Sequence, residues 1–331
     1  MNPRDINRRE IIRSGLGSIA VAATGGIGPA WAADWPTKAV KVVVPYGPGS
    51  ATDLVPRTVF DAVATNVKQN IIIENRPAGG TTVGTNSVAK SDPDGYTILV
   101  HSNAIVTVPA IQPNVPYDPV KEFSGVTPLA NVPLVLVISP EKKVKTVQEF
   151  VAMAKAKPGS INYAAAGIGT PPHLAMERLR LAANFEGQLV PFKSAPEGLT
   201  EVLSGRVDVY LCPIAAAISL VREGKLLALA VSTAKRASAL PEVPTTLEAG
   251  IPNSDFDFWV GAFVPKATPR DVVAKIYDEI VKSIESPAIK DKFSKLGVDA
   301  LTMKPDDFDA RIAKEADIAV KLAKAAKISL Q

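Results

Sequence analysis

From residue 39 onward the chain alternates short runs of β-branched residues with stretches in which apolar residues recur every three or four positions. The first pattern has the two-residue period of a strand and the second the 3.6-residue period of a helix. Strands are expected at residues 40–44, 71–74, 96–101, 134–138, 161–164, 188–192, 207–211 and 226–231. Amphipathic helices are expected at 53–67, 147–155, 173–183, 197–204 and 215–223. Strand, helix and strand repeated this often predict parallel sheets with helices on both faces, and such sheets take ligands beyond the carboxyl ends of their strands.

Two stretches break the rhythm. The first is the proline-rich 109–119 followed by 126–133, and the second is 233–258 with Pro241, Pro244 and Pro252. Because they flank a central βα block, the chain is expected to leave one lobe, build a second, and return. The expected division is 33–133 for the first part of lobe one, 134–254 for lobe two and 255–331 for the rest of lobe one. Helices at 269–286, 287–296 and 305–325 complete the tail, with Pro269, Pro287 and Pro305 suited to a first helical turn.

Composition agrees with two cores: 331 residues, 47% of them apolar and 21% charged. The formal charge is +4, but Arg4, Arg8, Arg9 and Arg13 outnumber Asp5 and Glu10 by two before residue 33, so the remainder is nearly balanced. Its Lys and Arg are interleaved with Asp and Glu, as in 271–282, which describes a solvated face rather than a nucleic-acid footprint. A lone cysteine, Cys212, excludes an internal disulfide and a thiolate cluster, and two histidines leave little for zinc. No cofactor or metal is expected.

The amino terminus reads as an address. Asn7-Arg8-Arg9 precedes a weakly apolar run at 15–23 and then Ala30-Trp31-Ala32, the order of a signal peptide cleaved after Ala32. Its paired arginines suggest twin-arginine export to the periplasm, although Asn7 departs from that pattern and the general secretory route stays open. The apolar run is far short of the ~20 residues a bilayer crossing needs.

Candidate chemistry lies in the loops after strands. Gly47-Pro48-Gly49-Ser50-Ala51-Thr52-Asp53 joins a strand to a helix, where glycines admit close backbone approach and free N–H groups favour an anion. A tight turn is the alternative, and the third glycine of a dinucleotide fingerprint is missing. Gly167-Ile168-Gly169-Thr170-Pro171-Pro172-His173 repeats the device in the second half, so a cleft gripping an anion from both sides is expected. His101-Ser102-Asn103 through Thr107 follows another strand and offers hydroxyl and amide groups. Lys193 and Ser194 end a fourth strand, the lysine being either a cation for the ligand or a solvated side chain. Ser102, His173 and Asp53 are the residues available for a hydrolytic triad, but nothing in their spacing favours one, and the chain carries no G-x-S-x-G, H-E-x-x-H, C-x-x-C or Walker motif.

Several words of sequence are shared with a known family. They are Val43-Val44-Pro45-Tyr46 with Gly49-Ser50-Ala51-Thr52-Asp53, Glu74-Asn75-Arg76-Pro77 with Gly79-Gly80, Asp92-Pro93-Asp94-Gly95-Tyr96-Thr97, and Tyr117-Asp118-Pro119. Asn162-Tyr163, His173-Leu174-Ala175, Gly205-Arg206-Val207-Asp208, Ala239-Leu240-Pro241-Glu242-Val243-Pro244-Thr245 and Glu248-Ala249-Gly250 follow in order. The chain thereby resembles the TctC-like receptors of tripartite tricarboxylate transporters, the Bug family of periplasmic solute-binding proteins. The resemblance implies an α/β, type II periplasmic-binding-protein (Venus flytrap) fold, two lobes joined by two crossovers. It implies a non-enzymatic, monomeric receptor that carries a small organic carboxylate to the membrane subunits of a transporter.

The same resemblance assigns the ligand to Tyr46, Gly49, Ser50, Thr52, Asp53, Ser102, Asn103 and Thr107 on lobe one, partly through waters, with Gly167, Gly169, Thr170, His173, Lys193, Ser194 and Ala195 closing from lobe two. Trp259 stands where the family has an aromatic near the cleft. Two departures are notable: one glycine of the first loop is shifted, and Cys212-Pro213-Ile214 is apolar where the family shows Asp or Asn. If Cys212 faces the ligand, an ammonium group finds no counter-charge there, and an aromatic or aliphatic carboxylate is favoured over an amino acid; if the segment faces the sheet, it never meets the ligand. The rival reading is a hydrolase or transferase on the same scaffold, which turnover of bound ligand would identify. A transcription-regulator effector domain would need a helix-turn-helix where the signal peptide stands.

Overall fold

The computed structural model describes residues 35–112, 114–192 and 194–326; the expected signal peptide and Lys193 lie outside them. Lobe one opens with β1 (Val40–Val44), α1 (Ala51–Val67), β2 (Ile71–Asn75), α2 (Thr82–Ala89), β3 (Thr97–Ser102), α3 (Ala104–Ile111) and β4 (Phe123–Asn131). Lobe two holds β5 (Leu134–Ile138), α4 (Val147–Ala156), β6 (Ile161–Ala165), α5 (Pro171–Ala183), β7 (Gly187–Pro191), α6 (Ala195–Leu203), β8 (Val209–Pro213), α7 (Ile214–Arg222) and β9 (Leu227–Val231). The chain then returns through β10 (Trp259–Pro265), α8 (Arg270–Glu285), α9 (Pro287–Leu296), β11 (Asp299–Ala300) and α10 (Pro305–Ala326).

Six strands form the first sheet in the order β11-β4-β10-β3-β1-β2, and five form the second in the order β7-β6-β8-β5-β9. Both are mixed rather than parallel as expected. β10 runs antiparallel to β3 and β4, and β5 antiparallel to β8 and β9. These strands carry the chain into and out of each lobe, so no helical crossover forces them parallel. Of the expected passage at 126–133, only 132–133 crosses: β4 runs on to Asn131, and Pro128 is tolerated because the β4–β10 register shifts beside it, at a bulge.

Helices cover the sheets with single apolar faces. On α8 the buried residues Val272, Val273, Ile276, Ile280 and Ile284 recur at helical spacing and pack toward α1 and β4. Each such side chain stabilises the fold by about 1.5–3 kcal/mol on full burial, so an Asp at Ile276 would break the layer.

Two segments cross between the lobes, 132–133 and 232–258, and they run side by side. Val132 N donates to Phe258 O at 2.6 Å, Ser232 N to Leu134 O at 2.9 Å, and Phe256 N to Ser232 O at 2.7 Å. The fold is the expected two-lobe α/β binding-protein architecture, with the carboxyl ends of β1, β3, β6 and β7 leading into the loops singled out from sequence.

Candidate functional site

On lobe one, β1 ends in a turn whose Gly49 has φ +81°, a conformation that favours glycine, and α1 starts after Ser50. The turn is tied down by Asp53. Its carboxylate accepts from Gly49 N at 2.8 Å, from Arg57 Nε at 3.0 Å, and from Asn75 Nδ2 at 2.8 Å, while the same Asn75 amide reaches Tyr46 O at 3.0 Å. Burial alone would raise the Asp53 carboxyl, but the bonds from Arg57, Asn75 and Gly49 outweigh it and hold the group below the usual range. Asp53 is therefore an ionised organiser of the turn, paired with Arg57, and its carboxylate is committed to protein donors. The first amides of α1, at Ala51 and Thr52, have no acceptor within the helix and sit at its positive end, where an anion is favoured. Ser50 Oγ beside them is buried without a hydrogen-bond partner among the described residues.

The end of β3 joins this cluster. Tyr46 Oη and Ser102 Oγ are 2.6 Å apart, and Ser102 Oγ also accepts from Ala104 N at 3.1 Å. His101 Nδ1 lies 2.9 Å from Ser102 O; a carbonyl only accepts, so Nδ1 carries the proton. Burial depresses the His101 ring to about 3, against the opposing effect of that bond. Burial also raises the Tyr46 phenol, so both rings are neutral at ordinary pH. Asn103 Nδ2 donates to Asp257 O at 2.9 Å, tying the loop to the second crossover, and its own Oδ1 is buried without a partner among the described residues.

Lobe two is built differently. Gly167 and Gly169 have φ +100° and +77°, Thr170 Oγ1 donates to Gly167 O at 2.8 Å, and Gly169 N donates to His173 Nδ1 at 3.0 Å. α5 begins with Pro171 and Pro172, which have no N–H, and α6 has Pro196 directly after Ala195. The second loop thus differs from the first: Pro171 and Pro172 supply no N–H and His173 Nδ1 takes the Gly169 amide, so its donors are the amides of Gly167, Ile168 and Thr170 rather than the first turn of a helix. His173 has its Nδ1 engaged by the Gly169 amide. It is buried, stacked on Tyr163 with ring centroids 6.3 Å apart, and Tyr163 Oη donates to Glu177 at 2.6 Å. Burial lowers its pKa, Glu177 opposing and Arg180 assisting, so the neutral ring keeps Nδ1 as an acceptor.

The lobes meet where Thr107 Oγ1 donates to Gly169 O at 3.4 Å. Ser194 and Ala195 start α6 at the end of β7, beside Lys193, which lies outside the described residues. Cys212 and Trp259 belong to the cores. Cys212 is fully buried, with Sγ 3.8 Å from Val135 O and its thiol pushed up by burial. Trp259 is fully buried against Phe308, ring centroids 5.2 Å apart, with Nε1 donating to Glu315 at 2.9 Å. Both side chains lie in packed apolar clusters, the arrangement in which Cys212 faces the sheet. Beyond it, the Ile214-Ala215 corner lies against Gly297 of lobe one, whose added Cβ would stand 3.3 Å from Ile214 Cγ2.

A residue the sequence reading passed over is Thr81. It is β-branched at φ +83°, before the first turn of α2, and its Oγ1 is buried without a partner among the described residues. Such strain in a non-glycine residue marks a position held by its surroundings. The signal was Gly79-Gly80 after a strand, a third glycine loop of the same kind. The residues of a hydrolytic triad do not form one: Asp53 bonds Arg57, Ser102 bonds Tyr46, and His173 bonds Gly169. No helix among the described residues is long and apolar enough to cross a membrane.

Residues 55–327 match the family model of TctC, the tripartite tricarboxylate transporter family receptor. A UPF0065 protein encoded in the tcbD-tcbE intergenic region of Pseudomonas sp. strain P51 is 33% identical over 296 residues, covering 89% of this chain and 87% of that protein. Among solved structures, R. palustris Rpa4515 with adipate is 28% identical at a TM-score of 0.81, covering 89% of this chain and 99% of that one. The periplasmic binding protein BugD is 27% identical at a TM-score of 0.79, covering 90% and 100%.

Proposed function

The chain belongs to the tripartite tricarboxylate transporter receptor family, and from that premise we propose that it is a periplasmic receptor which closes two lobes on a small organic carboxylate and delivers it to the transporter's membrane subunits. The observation that carries the reading is the meeting of Thr107 and Gly169, which sets the loops of both lobes at one place. The carboxylate binds to lobe one, against the free amides of α1 and the hydroxyls of Ser50 and Ser102, where partial positive charge is concentrated and Asp53 is neutralised by Arg57. Tyr46, Thr52, Asn103 and Thr107 complete that side, and Thr81 is added to it. Gly167, Thr170, Ser194, Ala195 and Lys193 close from lobe two.

With prolines in the first turns of α5 and α6, lobe two offers less helix-end charge and suits the carbon chain of an aliphatic or aromatic carboxylate, dicarboxylates such as adipate included; Rpa4515 was solved with adipate. The hinge divides the lobes at 133/134 and 254/255. The leader ends at Ala32, the mature chain works as a monomer in the periplasm, where BugD belongs, and the bound ligand is returned unchanged. Closure around a ligand touching both lobes follows from differential affinity for the closed state. Isothermal titration of the mature chain with adipate, malate, benzoate and glutamate tests the reading. Binding of one or more carboxylates with recovery of intact ligand is expected; tighter binding of glutamate than of any of the others, or conversion of the ligand, refutes it.

A further inference from the structure

Where the lobes meet, the contact is between protein atoms, and it involves a residue that no ligand role accounts for. Thr107 and Ile111 are one turn apart on α3 and share a face. That face is turned to the second glycine loop: Thr107 Oγ1 donates to Gly169 O at 3.4 Å, and a Cβ on Gly169 would stand 2.2 Å from Ile111 Cδ1. Ile111 is 4% exposed, so this packing is tight. The lobe-two half is held in position from behind. Gly169 sits at φ +77°, its N–H is taken by the buried His173 Nδ1 at 3.0 Å, and Thr170 Oγ1 closes onto Gly167 O.

We propose that Ile111 and Gly169 form a closure latch, with His173 as the positioning residue of its lobe-two half. The latch stabilises the closed arrangement by packing between the lobes, in addition to whatever a carboxylate contributes by touching both. It rests on the receptor reading in taking lobe closure as the working motion. Because apparent affinity scales with the fraction of binding-competent molecules, the latch sets how tightly any ligand is held without touching it.

Small-angle X-ray scattering of the mature chain without added ligand reads closure, and calorimetric titration with adipate reads its consequence. Gly169→Ala is expected to enlarge the radius of gyration and weaken adipate about tenfold, since the added methyl must push the Ile111 δ-methyl aside and stands at a positive φ. In Gly169→Ala/Ile111→Ala the clash is gone although the backbone strain persists, so much of both effects should be recovered. Purely additive effects overturn the latch. Ile111→Trp wedges the same gap from lobe one with no strained φ, and so decides the matter should Gly169→Ala fail to fold; an unchanged scattering curve for it also overturns the proposal. His173→Phe keeps the ring stack but cannot accept the Gly169 N–H, and is expected to reproduce the expansion; a wild-type curve removes His173 from the latch. Failure of the wild-type chain to bind adipate bears on the carboxylate reading alone, and the scattering still decides this one.

Discussion

Replacing Asp53 by Asn separates two roles that a carboxylate beside an anion site can play. In the wild-type chain one oxygen accepts from Gly49 N at 2.8 Å and Arg57 Nε at 3.0 Å, and the other from Asn75 Nδ2 at 2.8 Å. Asn keeps the shape but turns one acceptor into a donor, which must then face either the Gly49 N–H or the Asn75 amide. Losing a hydrogen bond to a charged group costs roughly 1.5–3 kcal/mol, and opposing two buried donors roughly 1–3 more. Arg57 is 42% exposed at its side chain and relaxes into water, which discounts its share. A net loss of about 2–4 kcal/mol is expected, read as a lower urea midpoint.

Affinity provides the sharper reading. If Asp53 organises the turn, Asp53→Asn weakens adipate by about tenfold, equivalent to 1.4 kcal/mol of misplaced amides. If the carboxylate chiefly repels the ligand, the variant binds more tightly. A stability loss below about 1 kcal/mol, or tighter adipate binding, refutes the organiser role. The contribution of the ionised Asp53 is present above the unfolded carboxyl's range and disappears as pH falls through its lowered native value, so Asp53→Asn should also flatten the acid end of the stability profile.

His101 gives a second pH dependence of defined sign. Its native pKa is about 3 against an ordinary 6.5, so below pH 6.5 the unfolded chain takes up a proton that the native chain refuses, and stability falls. At pH 5 the loss from this ring is about 2 kcal/mol. His101→Gln should reduce the slope of the urea midpoint between pH 7 and pH 5, and an undiminished slope would count against the buried neutral ring. Cys212 should resist a thiol reagent in the native chain and react only on unfolding, because it is buried with a raised pKa. Rapid labelling that adipate blocks would return Cys212 to the wall of the cleft.

Local pattern carried the lobes and their loops a long way. All eight strands expected from β-branched runs are present, with ends displaced by no more than two residues. The misses have identifiable causes. Trp259–Pro265 is buried along its whole length, so β10 lacks alternation, and α3 is apolar on every face and carries Pro109. Neither shows the period that marks its type. Pro128 interrupts the strand pattern at 126–133, and only the partner strand β10 reveals the bulge beside it that admits it.

At the site, the prolines at 171 and 172 were in plain view. Their missing N–H groups take two donors from the second loop, so it does not repeat the first. His173 could not be placed from sequence, because its partner is the amide of a residue four positions earlier, held at a positive φ. Trp259 was assigned by position in the chain, whereas strand alternation turns its ring toward α10.

The two crossing segments, joined by the bond from Val132 N to Phe258 O, restrict how the halves can move. Segments tied at their ends by backbone hydrogen bonds, Val132 N to Phe258 O and Ser232 N to Leu134 O, resist sliding past one another more than bending. Opening is therefore a swing about one axis, and every degree of swing changes the outer face of the molecule in the same way whatever solute fills it. In the receptor role proposed above, a membrane partner would read occupancy from the angle between the lobes, with no need to inspect the cargo.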